Sequence, residues 1–365
     1  MEIRVEKRSL IMALEIGGTF AGKSKINPIL SCVKIKVGKD FINVVSSDSE
    51  NAISKKISDI ETGVEDTIAF CVDYKDLYSY VKLVPGDFVE LILKGERLTI
   101  HHEKGEINIP VQPVDAFPIV KSEEETKEYV VPSALVNNWI LDGQSFVSDD
   151  DLRPILGQIY FYRKDNEFGC CSSDGNVLYT NNVPDSGDDF EFTLNKGAFR
   201  AVCGALQDTD EVKILIGNKN VSFVSSDVSV LSRRAEGRYV NFKAVIPKNN
   251  DIVVKLSKQE LIGAINRCKL GADQFSNLCK ISIDGMNMSI SGNDADFSKK
   301  SVENLLVEAN GNITIGMKAT YLLSVLNVIS SENVNMSFST NSRPCVIEDD
   351  IEGSNKKVIL MPMMM

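Results

Sequence analysis

The sequence predicts an α+β chain made of three tandem copies of one domain, each holding two helix-plus-antiparallel-strands halves. Two observations predict it. A block of strand, short helix and strand pair recurs, with Phe70, Phe192 and Ile315 at equivalent places 122 and 123 residues apart in a chain of 365. A weaker pattern, a helix ending at Gly and then an alternating strand, precedes each block: Leu10–Gly17, Leu135–Gly143 and Leu261–Gly271, followed by Cys32–Val37, Gln158–Tyr162 and Cys279–Ile283. A period this long marks tandem domains, and Gly is the usual residue just past a helix end.

Each block follows from local chemistry. In the first copy, Ile68–Val72 alternates as a strand, Asp73 offers an N-cap, Leu77, Tyr78, Val81 and Val84 fall at helical spacing, and a strand pair turns at Lys94-Gly95-Glu96. In the second, Phe190–Leu194 is the strand and Asn195 the cap. Ala198, Phe199, Val202, Cys203 and Leu206 form the helix face, and strands Val212–Ile216 and Val221–Val224 flank Gly217-Asn218-Lys219-Asn220. In the third, Ile313–Met317 precedes a helix carrying Tyr321, Leu322, Val325, Leu326 and Ile329. The polar stretches Ser122–Glu128 and Pro247-Lys248-Asn249-Asn250 read as linkers, giving domains 1–124, 125–249 and 250–365.

Hydrophobic content of 43% and charged content of 25% are those of a globular protein. The N-terminus lacks the apolar core of a signal peptide and no apolar run reaches the length of a membrane span, so the expected compartment is the cytoplasm, with no membrane contact. Eight scattered Cys read as buried free thiols. The two His, His101 and His102, are neighbours in a strand and point to opposite faces, which leaves no basis for a metal site, a cofactor or a His-based catalytic residue. The net charge of −11 is unevenly spread: the six predicted helical segments together carry +5 and the rest of the chain −16.

Gly17–Ser24 (GGTFAGKS) fits the phosphate-loop pattern letter for letter. That mechanism needs a strand before the loop and a helix after it. Here a helix precedes, and Pro28 forces an extended path into the strand at Cys32. A nucleotide-binding enzyme built on this loop is the enzyme alternative.

The chain closes on an apolar strand, Val358–Leu360, running into Met361-Pro362-Met363. Together with Asn27-Pro28-Ile29-Leu30, Asp151-Leu152-Arg153, Asp174-Gly175, Glu236-Gly237-Arg238-Tyr239, Val245-Ile246-Pro247-Lys248-Asn249 and Leu322-Leu323-Ser324-Val325-Leu326-Asn327, this ending resembles the bacterial replicative sliding clamp, the β subunit of the polymerase holoenzyme. The resemblance covers the full chain. It implies three DNA-clamp domains and a head-to-tail homodimer forming a six-domain ring. Helices line the hole, and double-stranded DNA passes through it, encircled without sequence preference. It implies no catalysis. The implied partners are a replicative DNA polymerase, a clamp loader and other proteins bearing a clamp-binding motif.

Positions on the predicted helices and first loop assign Lys23, Lys25, Lys75, Lys82, Lys196, Arg200 and Arg267 to DNA, with Asp149-Asp150-Asp151 standing where the family places a DNA-contacting loop. The partner-peptide pocket implied by the resemblance is Leu156, Ser173, Gly175, Leu178, Val240, Val245, Phe275, Ile359, Leu360, Met361, Pro362 and Met363, and the implied dimer seam sets Ile107 and Ile109 against Lys269 and Leu270. The chain departs from the family at Asn176-Val177 (His-Arg), Val240 (Pro), Ala244 (Arg) and Lys269 (apolar). A peptide-binding scaffold of the same fold that does not encircle DNA is the second alternative.

Overall fold

The computed structural model describes residues 1–22, 27–118, 120, 123–207 and 209–365. Two compact units result, Met1–Ile140 with Leu194–Glu236 and Leu141–Thr193 with Gly237–Met365, so the middle third of the chain is divided between them. Six α-helices occur among the described residues: α1 (Lys7–Gly17), α2 (Tyr74–Leu83), α3 (Ser133–Gly143), α4 (Phe199–Leu206), α5 (Lys258–Lys269) and α6 (Ala319–Val328).

The first unit holds one antiparallel twelve-stranded sheet. Its order is Glu2–Glu6, Phe88–Lys94, Arg97–His102, Gly105–Gln112, Ile68–Asp73, Cys32–Val37, Phe41–Ser47, Asn51–Ser58, Val228–Arg233, Asn220–Val224, Glu211–Ile216 and Lys127–Pro132. Helices α1 and α2 pack on each other and α4 packs on Val228–Arg233. Leu10, Leu14, Leu77 and Val81 bury their side chains against Val33, Ile35, Val44 and Phe70.

The second unit holds two sheets. One runs Phe190–Asn195, Gln158–Lys164, Glu167–Ser173, Val177–Pro184, Lys357–Leu360, Cys345–Asp349, Asn333–Phe338, Ile252–Ser257 and Glu308–Ala309. The other runs Lys299–Leu306, Asn287–Asp294, Leu278–Asp284 and Ile313–Lys318, with α5 laid on its edge strand and on α6.

The caps read from the sequence are made. The Asp73 carboxylate accepts from the Asp76 amide at 3.0 Å, and the Asn195 side chain from the Ala198 amide at 3.2 Å. The Asn195 amide group also donates to Asn51 Oδ1, Ser232 Oγ and the Arg233 carbonyl, tying that helix start to the seam between Asn51–Ser58 and Val228–Arg233. A device invisible in the helical periodicity recurs as well. Lys7, opening α1, donates to the Val84 carbonyl that ends α2, and Lys258, opening α5, donates to the Ile329 carbonyl that ends α6. Each satisfies a carbonyl left over at a helix C-terminus. Gly95 turns the Lys94–Arg97 hairpin at φ +56, where a Cβ would be strained.

Candidate partner pocket and DNA-facing helices

In the second unit, the strand Lys357–Leu360 lies between two others. Leu178 faces Ile359 across one pairing and Ile359 faces Val346 across the next, so the three form an apolar row on one face of the sheet. Phe242 and Tyr162 belong to the same buried cluster as that row, with Ile246 packed against it. Above it, the Ser173–Leu178 turn is locked from within. Ser173 Oγ donates to the Val177 carbonyl and accepts from the Gly175 amide, while Asp174 Oδ1 accepts from the Asn176 and Val177 amides. Gly175 sits at φ +96.

The C-terminal residues strap down beside this turn. The Met361 amide donates to the Asn176 carbonyl at 2.9 Å, and the Met363 amide to the Gly316 carbonyl at 2.8 Å. A Cβ on Gly316 would come within 2.7 Å of the Met363 carbonyl oxygen, so Gly is needed for that approach. Met361 is left 44% and Val245 56% exposed, an apolar wall that a partner side chain can cover. The rim is polar: Asn176 donates to the Tyr321 hydroxyl, and Arg153 stands 3.2 Å from where a Gly175 Cβ would be.

Of the residues assigned to the pocket from sequence, Leu178, Ile359, Ser173, Gly175, Met361 and Met363 belong to this strand-and-turn arrangement, Pro362 lies half-buried within the strap, and Val245 follows the short Phe242–Ala244 turn. Leu156 is buried in the Pro154–Gly157 turn, against Gln158–Lys164 and Glu167–Ser173. Three residues depart from the expectation. Leu360 is fully buried and alternates to the face opposite Ile359, so it is a core residue rather than a pocket wall. Val240 lines a neighbouring cavity of about 480 Å³ with Tyr160, Tyr162 and Tyr239. Phe275 stands 94% exposed on the turn after α5. Sequence reasoning missed Val346, Phe242, Tyr321 and Arg153. Val346 carries no local signal, since only the pairing of Cys345–Asp349 with Lys357–Leu360 brings it beside Ile359.

Lys75 and Lys82 are exposed on α2, and Lys82 stacks over the Tyr78 ring at 5.4 Å. Lys196 and Arg200 are exposed at the start of α4. Lys23 and Lys25 lie outside the described residues. Arg267 on α5 is partly spent: it donates to Glu303 Oε2 at 2.7 Å, and that bond holds the Glu303 carboxyl below the usual carboxylate range. In the acidic loop, Asp150 accepts from Arg153 Nε at 2.8 Å and from the Leu152 amide, which keeps its own carboxyl low and occupies its charge locally.

Ile107 and Ile109 share one face, as their alternation requires, but that face turns inward. Ile109 is 3% exposed within the first unit's core and Ile107 packs at its margin. Beside them, Tyr80 and the 82% exposed Leu83 of α2 bound an open cavity of about 380 Å³. Among the described residues, the backbone of Gly105–Pro110 has a strand neighbour on one side only. In the second unit, Lys299–Leu306 is likewise an end strand, with Leu270 78% and Leu306 74% exposed near it and Lys269 half-buried.

The described part of the Gly17–Ser24 loop has no free amides for a phosphate. Gly18 donates to Leu14, Thr19 to Ile16, Phe20 to Ser46 Oγ, Ala21 to Gly18 and Gly22 to Leu30. A helix precedes the loop, and Cys32–Val37 pairs antiparallel on both sides. Titration with ATP or GTP is expected to give no saturable binding. Saturable binding that disappears in Lys23→Ala would restore the nucleotide reading. All cysteines are free, and burial pushes the Cys71 thiol up to about 11 and Cys170 and Cys171 well above the usual thiol range, as for inert core thiols. No helix of the described residues is long and apolar enough to cross a membrane.

Antiparallel sheets backed by paired helices, with a C-terminal strand inserted between two others, define the DNA sliding-clamp class of fold. The structure of the DNA polymerase III subunit beta from Pseudomonas aeruginosa superposes with a TM-score of 0.93 over 100% of both chains at 18% identity, and that from Thermotoga maritima with 0.91 at 22% identity, covering 100% of this chain and 99% of that one. The family model for the DNA polymerase III beta subunit N-terminal domain matches residues 1–121 and that for its C-terminal domain residues 243–364. The beta sliding clamp of Rickettsia bellii is 25% identical over 366 residues, covering 95% of this chain and 96% of that protein; the Bacillus subtilis one is 24% identical, covering 99% of each. The chain belongs to the family of bacterial DNA polymerase III beta subunits, the beta sliding clamps.

Proposed function

We propose that this protein is a processivity factor that encircles duplex DNA and tethers the replicative polymerase to it. It catalyses no reaction and works in the cytoplasm. The observation that carries the reading is the correspondence of the whole chain, end to end, with the sliding-clamp fold. Three clamp domains, 1–124, 125–249 and 250–365, repeat twice in a homodimer to close a six-domain ring. A clamp loader opens the ring, and polymerase and other partners insert a peptide over Leu178, Ile359 and Val346.

The seam between copies joins two backbone edges, Gly105–Pro110 of one protomer and Lys299–Leu306 of its partner, which are open among the described residues. Leu270 supplies the apolar knob for the recess beside Leu83 and Ile107. The inward turn of Ile107 and Ile109 fits a seam made chiefly of main-chain bonds.

DNA is held weakly and without reading bases. Positive helices within an acidic chain supply phosphate contacts, which set affinity and its salt dependence but not sequence. Lys75, Lys82, Lys196 and Arg200, all exposed, contribute, and Arg267 contributes less freely because it is shared with Glu303. Charge reversal of Lys196 and Arg200 together is expected to reduce retention on nicked circular DNA about tenfold at physiological salt and to flatten its salt dependence. A non-encircling scaffold of the same fold predicts unchanged retention and unchanged peptide binding.

A further inference from the structure

The pocket seam has a twin in the first unit, and the twin is hollow. The turn Ser47–Ala52 repeats Ser173–Leu178 bond for bond. Ser47 Oγ donates to the Asn51 carbonyl and accepts from the Ser49 amide, and Asp48 Oδ1 accepts from the Glu50 and Asn51 amides. In the pocket, Ser173 Oγ and Asp174 Oδ1 make the same four bonds. The strand registers then match as well. Ala52 faces Leu231 and Leu231 faces Ser222, where Leu178 faces Ile359 and Ile359 faces Val346. Phe117, 5% exposed, belongs to the cluster against which Val45 packs, as Phe242 shares a cluster with Cys171.

Two differences set the first seam apart. Ala52 and Ser222 are smaller than Leu178 and Val346, and a cavity of about 360 Å³ opens over them, bounded by Phe117, Ser54, Ser229 and Leu231. Lys34 and Lys36 line it at the registers that Tyr160 and Tyr162 hold in the pocket unit. The two lysines share a face, two residues apart, in a chain of net charge −11, yet among the described residues neither forms an ion pair. Burial, and then the charge of Lys36, pulls Lys34 below the usual lysine range, with Asp115 and the Cys71 thiol opposing. Lys34 rests 5.8 Å from the Phe117 ring centroid.

We propose that this cavity is a second docking site, for an extended acidic peptide of a partner protein that seats one aliphatic or aromatic side chain over Ala52 and Leu231 and a carboxylate against Lys34 and Lys36. The size of the hollow suits one large side chain, and the lysine pair, which forms no ion pair among the described residues, selects the charge. The proposal does not depend on the ring: retention on DNA can fail while this site binds, and the reverse.

The test uses the full chain carrying Val245→Asp with Met361→Asp, which weakens binding at the pocket of the second unit. Fluorescein-labelled DDLFDD and KKLFKK peptides are titrated and read by anisotropy. The account expects saturable binding of DDLFDD below about 1 mM and none of KKLFKK. Ala52→Leu, which fills the hollow, and Lys34→Glu with Lys36→Glu, which leaves it open, should each weaken binding about tenfold or more. No saturable binding, binding untouched by both substitutions, or tighter binding of a dT12 oligonucleotide at the same residues would overturn it.

Discussion

Lys356→Met should destabilise the C-terminal unit by about 3 kcal/mol, the low end for breaking a buried ion pair. Lys356 is 8% exposed. Its ammonium group donates to the Val328 carbonyl at 2.7 Å and to Ser330 Oγ at 3.0 Å, and it pairs with Asp142 at 2.8 Å and Asp349 at 3.9 Å. It thereby pins the ends of α3 and α6 to the two strands that meet beside Ile359. Removing the charge leaves Asp349, whose side chain is 2% exposed, with its remaining donors, the Ser330 and Ser331 amides and the Ser354 hydroxyl. Those donors keep the loss from being larger. In a unit of this size the midpoint of thermal unfolding should fall by about 6–12 °C. Adding Asp142→Asn should recover part of the loss, because it removes a carboxylate left without its cation. A shift under about 2 °C for Lys356→Met would mean that water replaces the ammonium group and the network is not structural.

Val245→Asp with Met361→Asp should weaken binding of a polymerase's clamp-binding peptide about 100-fold, which is about 2.7 kcal/mol. Both side chains are about half exposed and neither supports the core, so the fold is expected to survive. The peptide's apolar anchor would have to displace water from two carboxylates to reach Leu178 and Ile359, and a desolvated carboxylate without a partner is costly. Fluorescence anisotropy measures the affinity. A change under about threefold would mean that the peptide docks elsewhere.

Much of this was legible because it is local. Caps at Asp73 and Asn195 and the hairpin at Gly95 depend on neighbours in sequence. The phosphate-loop pattern reads as a decoy because helix and strand stand in the wrong order, and among its described residues the amides bond internally. The arrangement of the candidate pocket residues was only partly legible. Leu178 and Ile359 sit together, but the expectation put Leu360 beside Ile359 although strand alternation sends adjacent residues to opposite faces. Val346 needed a pairing between strands that no local pattern announces. Ile107 and Ile109 were read as a seam because an alternating apolar pair looks the same whether it faces a core or a partner. Arg267 looked free because Glu303 lies 36 residues away. The seam between Asn51–Ser58 and Val228–Arg233 escaped notice for the same reason: it joins strands more than 170 residues apart.

The measurement that tests the central claim most directly is retention on circular DNA, nicked against linearised, after incubation with a compatible clamp loader and ATP. The account predicts a complex that persists on the nicked circle and is lost when the circle is cut, because a ring slides off a free end. Equal retention on circle and line would contradict it, since binding would then be to the DNA surface and not around it.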